Sequence, residues 1–137
     1  MTPQKQNATR KEIERGEKAF KAAQLLCEHG LYEDAVSRAY YAVLHLAKAA
    51  LLSQDVRTSS HKGVLAMFGL HLVEKGLMKP DLAKILAKEK EERELGDYDV
   101  MIDIDQERAA ERVRQAEQFI TSVKAFLTKG GLSGSVD

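Results

Sequence analysis

The sequence predicts an all-α protein that folds as an up-down antiparallel bundle of four to five helices. Apolar residues recur at the 3.6-residue period of a helix, and strand-like alternation never extends beyond a few residues. The only two prolines, Pro3 and Pro80, stand where an element can begin and not inside one. The 137 residues suffice for one compact domain with a single core.

The helical pattern divides the chain into a bundle with two tails. We expect a disordered N-terminal tail over residues 1–8, the bundle over residues 9–129 and a disordered C-terminal tail over residues 130–137. The tails lack a sustained helical pattern, and the last one is rich in glycine and serine. The predicted helices span about residues 9–29, 32–53, 60–76, 80–96 and 103–129.

Capping signals indicate where three of these helices begin. Thr9 and Asp103 each precede a Glu or Gln by three residues, which is the spacing of a capping box. A serine at 59 or 60 is expected to cap the third helix. Because the connections are short, successive helices are expected to run antiparallel. Helices two and four would then end at one pole, where these stretches would meet: residues 48–52, 59–62, 93–99 and 103–106.

The second helix contains "SRAYYAVLHLAKAALLS", residues 37–53, which is apolar around most of its circumference. A bundle helix needs only one apolar stripe, so this helix is expected to be covered on a second side as well. The cover is either a further helix of the same chain or a second subunit in a two-fold dimer. The sequence leaves both alternatives open.

Four polar residues follow one line along the same helix, at the spacing i, i+3, i+7 and i+10. They are Arg38, Tyr41, His45 and Lys48. One interpretation is a surface edge where the long side chains reach water over an apolar body. The other is a groove that binds an anion such as a nucleotide phosphate.

A second anion site is predicted at the start of the third helix. Ser60, His61 and Lys62 stand where free backbone N–H groups and the helix dipole favour a negative charge. The predicted topology brings Arg93 and Tyr98 to the same pole, which would complete a phosphate pocket. The alternative is a serine that only caps the helix, followed by a solvated histidine.

Composition narrows the functional classes. Lys plus Arg and Asp plus Glu both number 21, so only a local cluster can attract an anion. No two histidines have the spacing of a helical zinc site, and the single cysteine, Cys27, reads as a small core residue, so no metal or cofactor is expected. No segment has the character of a signal peptide or a membrane span, and we expect a cytoplasmic protein without membrane contact. The run KEKEERE, residues 88–94, predicts a solvent-exposed helix face.

Three segments in order carry a family resemblance: "SRAYYAVLHLAKAALLSQ", "SSHKGVLAMFG" and "EERELGDYD". They resemble the HEPN family (higher eukaryotes and prokaryotes nucleotide-binding domain), closest to its small stand-alone prokaryotic members, over roughly residues 10–128. The resemblance implies a helical bundle whose first two helices form a hairpin, and which is often a homodimer. It also implies a minimal nucleotidyltransferase as partner in a toxin–antitoxin-like pair.

Many HEPN proteins are metal-independent ribonucleases whose signature is an arginine and a later histidine with four to six residues between them. The corresponding Arg93 is followed by no histidine, and Asp97, which stands in this degenerate motif, is a poor proton donor at neutral pH. Arg38 and His45 have the spacing of the signature but lie within one continuous helix. The resemblance therefore favours a component that binds a nucleotide or RNA without an intact ribonuclease motif. The alternatives are a ribonuclease toxin that uses His61 or His45, and a helical adaptor without a ligand.

Overall fold

The computed structural model describes residues 1–132 and confirms the all-α class, because those residues contain helices and no strand. Residues 133–137 lie outside the described part of the chain. A π-helical segment, Gly69–Val73, continues the third helix directly. The five α-helices are α1 (Pro3–Glu28), α2 (Tyr32–Leu52), α3 (His61–Phe68), α4 (Pro80–Tyr98) and α5 (Gln106–Lys129).

The first helix starts earlier than its sequence signals predicted. The Oγ1 atom of Thr2 caps the helix by accepting from Lys5 N–H at 3.2 Å, and Pro3 follows in the first turn, where a missing N–H costs nothing. The Thr9 hydroxyl instead donates to the carbonyl of Lys5 inside the helix. The predicted disordered tail over residues 1–8 is therefore wrong, because a second capping threonine lies upstream.

The other helix ends follow the predictions with one further correction. Ser60 caps α3, since its Oγ accepts from the Gly63 N–H at 2.9 Å. The cap of α5 is Asp105, whose Oδ1 accepts from Arg108 N–H at 2.8 Å, and not Asp103. At the C-terminus Leu132 is 4% exposed and packs on the core, so the predicted tail over residues 130–137 is ordered as far as 132. The remainder of that tail lies outside the described residues.

Helix α2 is the centre of the bundle. It packs against α1, α3, α4 and α5, and its side chains are buried on all sides from Ala39 to Leu51 apart from Tyr41, His45 and Lys48. Leu44 and Leu46, which lie off the main apolar stripe, are nearly inaccessible. The second cover that the sequence requires is therefore supplied by helices of the same chain.

The helix directions correct the predicted topology at one point. Helices α1 and α2 form an antiparallel hairpin through Gly30, which reverses the chain with a φ of +79°. Helix α4 also runs antiparallel to α2, because Arg93 contacts Tyr41 while the later Gly96 lies beside Glu33 at the start of α2. The two helices therefore end at opposite poles.

This reversal arises from the connection between α2 and α4. Residues 53–60 return along α2, so that α3 begins beside Tyr40, about 18 Å along the axis from the end of α2. The start of α5 lies at the opposite pole, where Ile104 packs with Val36. The predicted meeting of residues 48–52 with residues 103–106 is therefore wrong, whereas 59–62 and 93–99 do approach each other.

Two carboxylates of the run KEKEERE are buried, which corrects the prediction of a solvated face. Glu89 accepts a hydrogen bond from Arg112 Nη1 at 3.0 Å, and Glu92 accepts one from Arg108 Nε at 2.8 Å. These pairs join α4 to α5. In the described residues no helix combines the length and apolar character that crossing a membrane requires.

Candidate functional site

Arg93 is held in the last part of α4 by three aromatic rings and a carboxylate. Its Nη2 donates to the hydroxyl of Tyr41 at 3.1 Å, and its Nε lies 2.9 Å from Asp97 Oδ2, one helical turn further on. The Cζ atom lies 5.5 Å from the ring centroid of Tyr41 and 5.9 Å from those of Tyr40 and Tyr98. Such distances allow cation–π attraction, which fixes the guanidinium in place.

His61, the first residue of α3, reaches the same pair of tyrosines. Its ring centroid lies 5.5 Å from that of Tyr40 and 5.9 Å from that of Tyr41, edge to face in both cases. Burial and the positive charge of Arg93 lower the pKa of His61 below its usual value of 6.5. The imidazole is therefore mainly neutral at neutral pH, with one nitrogen able to donate and the other able to accept.

The hydroxyl of Tyr40 is a buried polar atom of this cluster. Tyr40 is 1% exposed, and its hydroxyl has no hydrogen-bond partner in the structure. Burial raises the pKa of Tyr40 to about 12, so the group stays a neutral donor. We call Arg93, Tyr40, Tyr41 and His61 the tyrosine–arginine site.

The structure brings together only part of the predicted phosphate pocket. His61 and Arg93 contact the same pair of tyrosines, Tyr40 and Tyr41. The side chain of Ser60 is occupied as a helix cap, and Lys62 is exposed. Tyr98, 74% exposed, covers Arg93 from the solvent side.

The two aspartates near Arg93 have different roles. Asp97 pairs with Arg93, one helical turn away. Asp99 caps the turn after α4, because its Oδ1 accepts from Met101 N–H at 3.0 Å.

The polar line of α2 divides between two environments. The guanidinium of Arg38 lies 5.7 Å from the ring centroid of Tyr41, so it borders the tyrosine–arginine site. His45 is bonded through Nδ1 to Glu12 Oε2 at 2.7 Å, across the α1–α2 interface. This hydrogen bond lowers the pKa of Glu12. Arg38 and His45 therefore do not form a pair with each other.

Sequence reasoning missed two members of this region. One is Tyr40, for which the sequence offers no signal beyond its position beside Tyr41. The other is Glu12. The partner that it finds in His45 lies 33 residues away, and no local pattern indicates that contact.

Comparison with known sequences shows the family. The sequence model of the HEPN domain family matches residues 9–126, nearly the whole described bundle. The chain belongs to the HEPN family, and the resemblance carried by its three segments is confirmed.

Curated relatives align along most of their length. The protein "Putative toxin MJ0605" of Methanocaldococcus jannaschii is 38% identical over 115 residues, covering 84% of this chain and 85% of the relative. A second protein of that organism, "Putative toxin MJ0142", is 31% identical over 126 residues, with coverages of 91% and 86%. "UPF0332 protein glr0978" of Gloeobacter violaceus is 31% identical over 130 residues, covering 94% of this chain and all of the relative.

Proposed function

We propose that this chain is the HEPN component of a cytoplasmic, toxin–antitoxin-like pair whose partner is a minimal nucleotidyltransferase. Within this chain, the tyrosine–arginine site binds a phosphate of a nucleotide or RNA. The observation that carries the proposal is the meeting of Arg93 and His61 at one pair of tyrosines, from helices 32 residues apart. The toxin names of two relatives support the functional class.

The donors at the site suit a phosphate. A guanidinium can hold two phosphate oxygens at once, and the hydroxyls of Tyr41 and Tyr40 add neutral donors. The neutral imidazole of His61 supplies a further donor beside Arg93. Asp97 forms an ion pair with Arg93, so we expect a bound phosphate to displace that carboxylate.

The test measures binding of AMP and of a short oligouridine by calorimetry or fluorescence anisotropy. We expect Arg93→Gln to weaken both by at least tenfold, because a charge-assisted hydrogen bond contributes about 1.5–3 kcal/mol. Arg114→Gln is the matched control, since Arg114 also pairs with a carboxylate of its own helix but is exposed on α5. Equal affinities in the two variants would show that phosphate does not bind at Arg93.

The partner is tested separately. We expect the tagged HEPN protein to retain a minimal nucleotidyltransferase from the same organism in a co-expression pull-down, with Arg114→Gln unchanged. A failure to retain that protein under conditions where both are folded would reject the partner assignment and leave the phosphate site untouched.

The homodimer remains a prediction. Val100 and Met101, in the connector between α4 and α5, are 93% and 85% exposed. Their exposed apolar side chains support an interface with a second subunit at this connector. We expect twice the monomer mass by light scattering and a shift toward monomer in Val100→Asp. A wild-type monomer across the accessible concentration range would contradict this assignment.

A second candidate function is a metal-independent endoribonuclease, favoured by the neutral state of His61 beside Arg93. His61 would take the proton of a ribose 2′-hydroxyl, and the freed oxygen would attack the phosphorus. The bond to the 5′ oxygen then breaks, that oxygen takes a proton from Tyr41 or water, and a 2′,3′-cyclic phosphate and a 5′-hydroxyl result. Arg93 would stabilise the charge that develops on the phosphate.

This candidate is tested with RNA in the presence of EDTA. We expect cleavage by wild type, loss in His61→Ala, and normal cleavage in His71→Ala, a histidine of the π-helical segment. His45→Ala tests the other predicted histidine and is expected to cleave, because His45 is engaged with Glu12. No cleavage by wild type would reject the ribonuclease and favour the binding function alone.

A further inference from the structure

A groove runs between α1 and α2 next to the tyrosine–arginine site. It has a volume of about 450 Å³, and the small side chains of Ala19 and Ala22 are among the residues that line it. Polar side chains line both walls: Arg15 and Lys18 from α1, and Arg38, Tyr41 and His45 from α2. We call this space the α1–α2 groove.

The cations of the groove form no direct ion pairs in the described residues, although the charge of Arg15 helps to lower the pKa of Glu12. Among residues 1–132, no carboxylate lies within 4.0 Å of the charged groups of Arg15, Lys18 or Arg38. All three side chains are exposed. The carboxylate beside the groove, Glu12, is already bonded to His45. Among the described residues, the lining of the groove contains three cations and no carboxylate, although the protein as a whole is neutral.

The groove is continuous with Arg93 through one side chain. Tyr41 lines the groove, its ring lies 5.7 Å from the guanidinium of Arg38, and its hydroxyl accepts the hydrogen bond of Arg93. The two guanidinium groups thus contact the same ring. A ligand with a single phosphate can occupy the end at Arg93, but only a ligand with several phosphates can use the whole row of cations.

We propose that the α1–α2 groove binds the backbone of single-stranded RNA, with successive phosphates on Arg38, Lys18 and Arg15 and the strand leading from Arg93. This inference rests on the proposed phosphate site and defines its ligand as an oligonucleotide instead of a free nucleotide. Arginine and lysine side chains that track a backbone, with an aromatic ring available for base stacking, are the usual means of holding a single strand without reading its sequence.

An acidic peptide would meet the same charges but fits less well. The groove offers exposed guanidinium forks and an aromatic ring, which suit phosphates and bases. The aliphatic residues that line it are two alanines, which offer little apolar surface to the side chains that usually anchor a peptide.

The experiment compares oligouridine and AMP binding to wild type and to the double variant Arg15→Gln/Lys18→Gln, by anisotropy and calorimetry over a range of salt concentrations. Both residues are exposed on α1, so the variant should fold. The matched control is Lys75→Gln/Lys84→Gln, which removes the same charge from two exposed positions outside the groove.

We expect the double variant to bind oligouridine at least tenfold more weakly, with AMP affinity unchanged. The slope of log K against log salt concentration should fall in magnitude by about 1.4, since each phosphate contact on a single strand contributes about 0.7. The control should keep the wild-type slope.

The outcomes separate the groove from the phosphate site. Oligouridine binding that depends on Arg93 but is the same in the groove variant and the control would overturn the groove and keep the site. Absence of binding of both AMP and oligouridine to wild type would reject the proposed function together with the groove. Tighter binding of polyglutamate than of oligouridine, lost in the groove variant, would replace RNA by an acidic peptide and overturn the inference.

Discussion

Arg93 and Tyr41 are 52 residues apart in sequence and are joined by a hydrogen bond of 3.1 Å between Nη2 and the phenolic oxygen. This bond ties α4 to the central helix at the point where His61 also arrives. It orients the guanidinium so that its position does not depend on Asp97 alone. The same tyrosine forms the boundary between the tyrosine–arginine site and the α1–α2 groove.

Replacing Tyr41 with phenylalanine tests this relationship. The ring contacts remain, but Arg93 loses one hydrogen bond and the phosphate loses one donor. We expect AMP affinity to fall about fivefold, which corresponds to about 1 kcal/mol for one hydrogen bond. Calorimetry measures the effect, and Tyr32→Phe, on the same helix outside the site, should bind as wild type does. An unchanged affinity in Tyr41→Phe would mean that its hydroxyl orients nothing that the ligand needs.

Replacing Tyr40 with phenylalanine is expected to stabilise the ligand-free protein by up to about 1 kcal/mol. Its buried hydroxyl has no partner, and removing an unsatisfied polar group of unchanged shape relieves a desolvation penalty. Urea unfolding measures the change in the free energy of unfolding. The exposed Tyr98→Phe serves as control and should stay within about 0.5 kcal/mol of wild type. A loss of stability in Tyr40→Phe would reveal a hydrogen bond that the free protein makes after all.

Replacing Gly16 with alanine is expected to destabilise the α1–α2 hairpin by about 1–3 kcal/mol. A Cβ at this position would lie 2.2 Å from Leu46 Cδ2 and 3.1 Å from the carbonyl oxygen of Ala42. Leu46 is fully buried and the carbonyl of Ala42 is backbone, so the added Cβ has to displace packed core atoms or separate the helices.

A matched glycine makes this prediction specific. A Cβ on Gly69 would meet nothing within 4 Å, so Gly69→Ala should be neutral or slightly stabilising, as expected for alanine in a helix. Both variants are compared by thermal and urea unfolding. Equal stability of the two would show that α1 and α2 can adjust their separation at little cost.

Glu89 is expected to lower the free energy of unfolding as the pH rises, which is opposite to the usual effect of a carboxylate. Burial raises its pKa from 4.5 to about 8, against the opposing effect of Arg112. Between these values the folded protein retains a proton that the unfolded chain has released, so the contribution of Glu89 to stability is full below pH 4.5 and declines as the pH rises toward 8.

Glu89→Gln removes this titration while keeping the shape of the protonated side chain. We expect the wild type to lose more stability than the variant when the free energy of unfolding is measured first at pH 5 and then at pH 8. Glu107→Gln, exposed in the first turn of α5, should behave like the wild type. A parallel pH dependence in wild type and Glu89→Gln would show that Glu89 keeps the same charge in the folded and unfolded states.

Much of the bundle was predictable because helices are specified locally. The period of apolar residues located all five α-helices, and a serine at 59 or 60 was expected to cap α3. The apolar circumference of α2 predicted a second covered side without deciding between a helix of the same chain and a second subunit. The errors at helix ends, Thr9 instead of Thr2 and Asp103 instead of Asp105, arose where two residues competed for one capping role. Both candidates in each pair satisfy the same local chemistry, and the position of the chain around them selects one.

The tertiary structure decided what depends on contacts between remote segments. The connection between α2 and α4 reverses direction and places His61 beside Tyr41. Glu89 is buried because it pairs with Arg112 of α5. The sequence of the charged stretch in α4 does not indicate this contact. Likewise His45 finds Glu12 only because α1 folds back along α2. Helical periodicity is encoded within a few residues, whereas the direction of each helix and the partner of each charge depend on how the whole chain packs.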